Sequence, residues 1–257
     1  MTDVITIRAL GDNFIYVHPY DEGRAFVVDP GEAATVLEAL RKHALTLTTI
    51  LLTHDHWDHV GGAAELQSQT DCEVVAADQR LIPTPDRTVG DGDVFALGES
   101  RVTVIATPGH TASSVCYYVD PSDGSHAGVV YTGDTLFVGG CGRPIECDAA
   151  TMWTSLCKLA ALPEETRVYC GHDYTLENYE FALTIAPERK AFAERLAELQ
   201  KAAEYGRHTV PSTIAQEKAT NIFLLADDPQ IKAVLGMANA SPEEVFAELR
   251  RRKNLFG

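Results

Sequence analysis

The stretch Thr53-His54-Asp55-His56-Trp57-Asp58-His59 constrains this 257-residue chain more than any other, because it directly follows the apolar run Ile50-Leu51-Leu52. A strand that ends in a loop carrying three imidazoles and two carboxylates delivers metal-binding groups to a sheet edge, where a cleft can open. Imidazole nitrogen suits zinc, iron and related ions, and carboxylate oxygen can terminate or bridge them. Such a loop needs a sheet beneath it and further ligands from other strand ends.

Three later segments repeat the arrangement. Val104-Ile105-Ala106-Thr107-Pro108-Gly109 leads to His110, Val129-Val130-Tyr131-Thr132-Gly133 to Asp134, and Val168-Tyr169-Cys170-Gly171 to His172. Each alone reads as an ordinary turn; recurrence at three strand ends after the histidine loop reads as a shell of ligands. The seven donors are too many for one four-coordinate ion and suit two. His54, His56 and His110 fit one ion, and Asp58, His59 and His172 the other, with Asp134 bridging. Two divalent ions about 3.5–4 Å apart can share a hydroxide, since a metal lowers the pKa of bound water to roughly 7. Asp58 and Asp134 would hold that nucleophile, and the expected chemistry is metal-assisted hydrolysis. His18, His43, His126 and His208 fall outside these contexts and read as surface or structural.

The rest of the chain supplies the scaffold. Short β-branched runs at 25–28, 48–53, 73–77, 102–107, 114–119, 128–132 and 167–170 predict strands, and apolar residues at helical spacing predict helices over 32–43 and 149–162. After about residue 174 the pattern turns to Ala/Leu/Glu-rich helical segments at 176–185, 188–205 and 228–235. Ser241-Pro242-Glu243-Glu244 opens a last helix as a capping box with proline at its first position. The expectation is an α/β domain over 1–173 followed by a helical domain over 174–257.

Charge separates the same two parts. Residues 1–173 carry 10 basic and 25 acidic side chains, whereas residues 174–257 carry 11 and 12 and end in Arg250-Arg251-Arg252-Lys253. A formal net charge of −16 repels phosphate backbones and anionic membranes, so neither nucleic acid nor a membrane surface is an expected partner. No apolar stretch reaches the roughly 20 residues that span a bilayer. The N-terminus lacks the basic and apolar regions of a secretory signal, and the six cysteines show no C-x-x-C pair. A cytoplasmic monomer with free, buried thiols is expected.

Four segments carry a family resemblance: residues 53–59, Thr107-Pro108-Gly109-His110-Thr111, Thr132-Gly133-Asp134-Thr135-Leu136-Phe137 and Cys170-Gly171-His172-Asp173-Tyr174-Thr175. They resemble the motifs of the metallo-β-lactamase superfamily and, more narrowly, of glyoxalase II, the hydroxyacylglutathione hydrolases. The resemblance implies an αββα sandwich with a helical C-terminal domain and a dinuclear site of zinc, iron or manganese. It implies hydrolysis of S-D-lactoylglutathione to D-lactate and glutathione, the second step of methylglyoxal detoxification. It also assigns glutathione contacts to Arg143, Tyr174, Arg250 and Lys253, and guanidinium and ammonium groups are apt donors to glutathione's carboxylates. One segment departs from the family: Pro144-Ile145 stands where an aromatic residue is usual, and Glu146-Cys147-Asp148 where a Glu-Gly-Thr turn is usual. Many β-lactamases of this superfamily have a cysteine ligand where Asp134 stands, and they have no use for the helical domain. A persulfide dioxygenase would use one iron and oxygen; a metal-buffering protein would close its sites with four ligands each.

Overall fold

The computed structural model describes residues 4–21, 23–81, 83–121 and 127–256. His126 lies outside them. The chain divides into two compact units, Met1–Ala106 with Ser113–Gly133, and Thr107–Ala112 with Asp134–Gly257.

The first unit is built on sheets. Strands β1 (Ile5–Ala9), β2 (Asn13–Asp21) and β3 (Arg24–Val28) form an antiparallel meander; helix α1 (Ala33–Lys42) then crosses to β4 (Thr46–Leu51), which runs parallel to β3. The short helix α2 (Trp57–Val60) and α3 (Ala63–Thr70) lead to β5 (Glu73–Ala76) and β6 (Arg87–Thr88), which extend the parallel pairing. A second antiparallel run follows, with β7 (Val94–Leu97), β8 (Ser100–Ala106), β9 (Val115–Pro121) and β10 (Val129–Gly133) paired in sequence.

Alternation along the first sheet explains why it reads as continuously apolar. Ile15, Val17, Val27, Ile50 and Val74 bury one face with Val36, Leu40 and Leu66 of α1 and α3. Tyr16, His18 and Phe26 lie on the other face and meet Tyr131 of β10, with ring centroids 5.5–6.1 Å apart. A sheet covered on both faces needs apolar residues on both, the condition of buried parallel strands. His18 accordingly is structural: its Nδ1 lies 2.7 Å from the Tyr131 hydroxyl. His43 and His208 are exposed.

The second unit begins with the hairpin β11 (Leu136–Phe137) and β12 (Gly140–Cys141), then α4 (Ala149–Ala160) and β13 (Arg167–Cys170). Helices α5 (Thr175–Ile185) and α6 (Lys190–Glu204) follow. Strand β14 (Ser212–Thr213) pairs with β13, and α7 (Ile214–Thr220), α8 (Pro229–Leu235) and α9 (Pro242–Lys253) complete the unit. The expected capping box opens α9: Ser241 Oγ accepts from Glu244 N, and Glu244 Oε2 accepts from Ser241 N at 2.8 Å. Asp148 caps α4 by accepting from Thr151 N at 2.8 Å.

One expectation needs correction. The thiols are free, but only Cys72, Cys116, Cys141 and Cys170 are buried; Cys147 is half-buried and Cys157 exposed, because α4 turns position 157 to solvent. The last helix runs through Arg250 to Lys253. Among the described residues no helix is long and apolar enough to cross a membrane.

Candidate metal centre and substrate cleft

In the first unit, β4 ends one residue before Leu52, and the chain then turns on a buried carboxylate. Asp29, just after β3, accepts from Thr53 N at 2.8 Å and from Thr53 Oγ1 at 2.7 Å. It also accepts from His59 Nδ1 at 3.0 Å, so one carboxylate fixes both ends of the loop. Because the Thr53 hydroxyl proton goes to Asp29, His54 Nδ1 is the donor in the 3.0 Å contact to Thr53 Oγ1. His54 and His59 therefore both carry their proton on Nδ1, which leaves Nε2 as the ring atom able to meet a metal.

The rings gather accordingly. His54 lies 4.1 Å from His59 and 4.7 Å from His56, centroid to centroid. Ligand atoms of Asp29, His54 and His59 fall within 4.8 Å of one another, although the oxygens of Asp29 are engaged in holding the loop. Asp58 is aimed by Asn13, whose Nδ2 donates to Asp58 Oδ2 at 2.9 Å, and that oxygen lies 3.6 Å from His59 Nε2. The loop's path also needs Gly31, where a Cβ would stand 2.0 Å from the Asp58 carbonyl oxygen. Trp57, between His56 and Asp58, is 71% exposed.

In the second unit one of the proposed ligands is held by main chain. His110 Nδ1 donates to the Arg143 carbonyl at 2.8 Å, again freeing Nε2 for coordination. That Nε2 and the Nε2 of His172 each lie 3.3 Å from Asp134 Oδ2. The approach of the 142–143 turn requires glycine: a Cβ on Gly142 would stand 1.8 Å from the Asp134 carbonyl oxygen. His172 stacks on Tyr174 with centroids 4.9 Å apart and planes 5° from parallel, and Phe137 meets both rings edge-on.

A cleft of about 440 Å³ opens on these groups, and its walls include His110, Asp134, Arg143, Tyr174, Arg250 and Lys253. That volume suits a small-molecule ligand. The four C-terminal cations divide: Arg251 and Arg252 both pair with Glu248, whereas Arg250 Nη1 donates to the Cys141 carbonyl at 2.8 Å and Lys253 pairs with Glu177. Buried Glu217 underpins the hairpin floor by accepting from Gly139 N at 2.9 Å, and burial pushes its carboxyl up. Asn221 joins it by donating to the Phe137 and Gly140 carbonyls. Burial also pushes the Cys141 thiol up to about 11, so it lines the cleft as an unreactive neutral group. Ile145 is 58% exposed, and its contribution here is main-chain, its N–H donating to the His110 carbonyl at 3.3 Å.

Each unit thus gathers its share of the expected ligands: His54, His56, Asp58 and His59 in the first, His110, Asp134 and His172 in the second. Imidazole Nε2 atoms converging with carboxylate oxygen are a donor set apt for a divalent cation. Asp29 and Asn13 hold ligand-type side chains, Glu177 pairs with Lys253, and Glu217 and Asn221 hold the hairpin; none of these five stands out in the sequence.

Comparison with known proteins identifies the family. The family model "Metallo-beta-lactamase superfamily" matches residues 8–172, and "Hydroxyacylglutathione hydrolase C-terminus" matches residues 173–256. A hydroxyacylglutathione hydrolase of Rhizobium etli is 45% identical over 99% of this chain and 98% of its own. Among solved structures, ETHE1 from Myxococcus xanthus superposes with a TM-score of 0.67 at 26% identity, over 98% of this chain and 92% of that one. TTHA1623 in a di-iron-bound form gives 0.59 at 25% identity, over 86% of this chain and 100% of that one. The chain belongs to the metallo-β-lactamase superfamily and, within it, to the hydroxyacylglutathione hydrolase family.

Proposed function

We propose that this protein is a metal-dependent thioester hydrolase that splits S-D-lactoylglutathione into D-lactate and glutathione. One observation carries the reading: ligand-type residues His110 and Asp134 and the cations Arg143, Arg250 and Lys253 line the same cleft. A hydrolytic centre and an anion-binding wall in one cavity suit an anionic acyl compound. The extent and identity of the relatives support the hydrolase over a dioxygenase.

The proposed ligand set is His54, His56 and His110 for one ion and Asp58, His59 and His172 for the other, with Asp134 between them. The proposed ions are zinc, with iron or manganese as substitutes. When bound, two such ions supply a water acidified to near neutrality and draw charge from the thioester carbonyl. The chain's own part is to prepare the ligands and seat the substrate. Asp29 and the Arg143 carbonyl hold His59 and His110 in the tautomer that presents Nε2. Arg143, Arg250 and Lys253 take the glutathione carboxylates, and Tyr174, braced on His172, offers its hydroxyl to the peptide portion. A thiolate leaves without help from a strong acid, so the cleft needs none. We further propose two domains, 1–173 and 174–257, and action as a cytoplasmic monomer.

The test is metal analysis coupled to thioester hydrolysis, comparing S-D-lactoylglutathione with a thioester that lacks the glutathione carboxylates. Two ions per chain, turnover independent of oxygen and at least roughly tenfold higher kcat/KM for the glutathione thioester are expected, about 1.4 kcal/mol of discrimination. Equal rates would remove glutathione as the substrate handle.

A further inference from the structure

The cleft contains an acid among its cations. Glu177 lines it, and the Glu177 carboxylate accepts from the Lys253 ammonium. The two sides of this pair are unequally placed: the Lys253 side chain is 7% exposed and that of Glu177 52%. A buried ammonium left without a counter-charge is costly, and the faces of Phe256 and Phe181, 5.2 and 5.9 Å from Lys253 Nζ, compensate for part of that cost. A carboxylate half in water can let go of its partner cheaply. Helix ends explain the residue types, since an acid is favoured in the first turn of α5 and a base in the last turn of α9. They do not explain why the two meet inside the cleft.

The neighbouring cations are held differently. Arg250 donates to neutral acceptors, the Cys141 carbonyl and Asn254 Oδ1, while Arg251 and Arg252 are occupied by Glu248, which does not line the cleft. Lys253 is therefore the cleft cation that a substrate carboxylate must win from an acid of the chain itself.

We propose that Glu177 is a specificity-determining counter-ion, holding the Lys253 ammonium until a substrate carboxylate replaces it and so setting how strongly the cleft selects anionic thioesters. The idea rests on the thioester-hydrolase reading. Glu177 stabilises the ligand-free cleft and weakens the binding of every anion that uses Lys253. Thioesters without a carboxylate leave the pair intact and do not feel it.

Steady-state kinetics of Glu177→Gln over a salt series test this, with S-D-lactoylglutathione and a carboxylate-free thioester as substrates. The KM for the glutathione thioester is expected to fall about three- to tenfold with kcat within about twofold, and kcat/KM is expected to depend more steeply on salt. Glu177→Asp should restore most of the wild-type KM. In a Lys253→Met background, Glu177→Gln should shift KM by less than about twofold, because the interaction acts through Lys253. An unchanged or raised KM, or an equal shift in the Lys253→Met background, overturns the proposal. The selectivity of the wild type between the two thioesters separately tests the hydrolase reading, so the two failures are distinguishable.

Discussion

The histidine loop of the first unit and the ligand-bearing turns of the second hold the same kind of side chain by different means. His59 and Thr53 depend on one carboxylate, Asp29, which accepts three of the hydrogen bonds that hold the loop. His110 depends on a main-chain carbonyl, that of Arg143. A side-chain brace can be removed by one substitution; a main-chain brace cannot, and is vulnerable instead where the backbone must pass close, at Gly142. Tautomer control is thus fragile in one region and built into the chain path in the other.

The largest expected effect comes from removing a ligand rather than a brace. Asp134→Ala should lose most bound metal, measured by elemental analysis, since its Oδ2 faces two imidazoles; unchanged metal content would refute the bridging role. Asp29→Ala should weaken metal binding by about 10–100-fold, the usual cost of an outer hydrogen-bond partner, and lower Tm because the Thr53 N–H loses its acceptor. Arg143→Ala is the control that can break the comparison. It should leave metal affinity within about threefold, because His110 uses the carbonyl and not the side chain, while raising KM. Equal metal loss in the two variants would mean that side chains brace both regions.

The cations of α9 allow smaller tests. Arg250→Ala with Lys253→Ala should raise the KM for glutathione thioesters about tenfold or more and flatten its salt dependence; a wild-type KM would remove these residues from the substrate wall. Glu248 should respond to pH. Its pairing with Arg251 and Arg252 holds its carboxyl at about 2, below the ordinary 4.5. A depressed folded-state pKa stabilises above the unfolded value and is lost as pH falls through the folded one. The Tm difference between wild type and Glu248→Gln should therefore persist at neutral pH and shrink progressively from about 4.5 towards 2; a difference independent of pH would dissociate Glu248 from the two arginines.

The proposed ligands stand out in the sequence because they follow the ends of four apolar runs, a local signal that survives without knowledge of tertiary structure. Asp29 was not: it is 24 residues before Thr53, with only Val27-Val28-Asp29-Pro30 as its local mark. What singles it out is a left-handed backbone with φ of +49° and three hydrogen bonds supplied by the loop after β4. The C-terminal cations were legible as a block but not as two pairs. Helical geometry sorts them, since residues three apart share a face, placing Arg250 and Lys253 together and leaving Arg251 and Arg252 within reach of Glu248. The sequence does not mark strands β1 and β2, because Pro19 and polar residues interrupt the β-branched pattern of the second and the first is only half-buried. Glu177 could not be read at all, as its meaning depends on which buried ammonium it meets 76 residues later.

The two tryptophans give the loop an optical signature of its own. Trp153 packs against Phe246, with centroids 5.8 Å apart, whereas Trp57 stands in water between two proposed ligands. The red-shifted part of the indole emission is expected to originate beside His56 and Asp58, and an ion bound there should change its intensity without any label. Occupancy of the histidine loop can be titrated in a cuvette, independently of turnover, with Trp57→Phe as the blank.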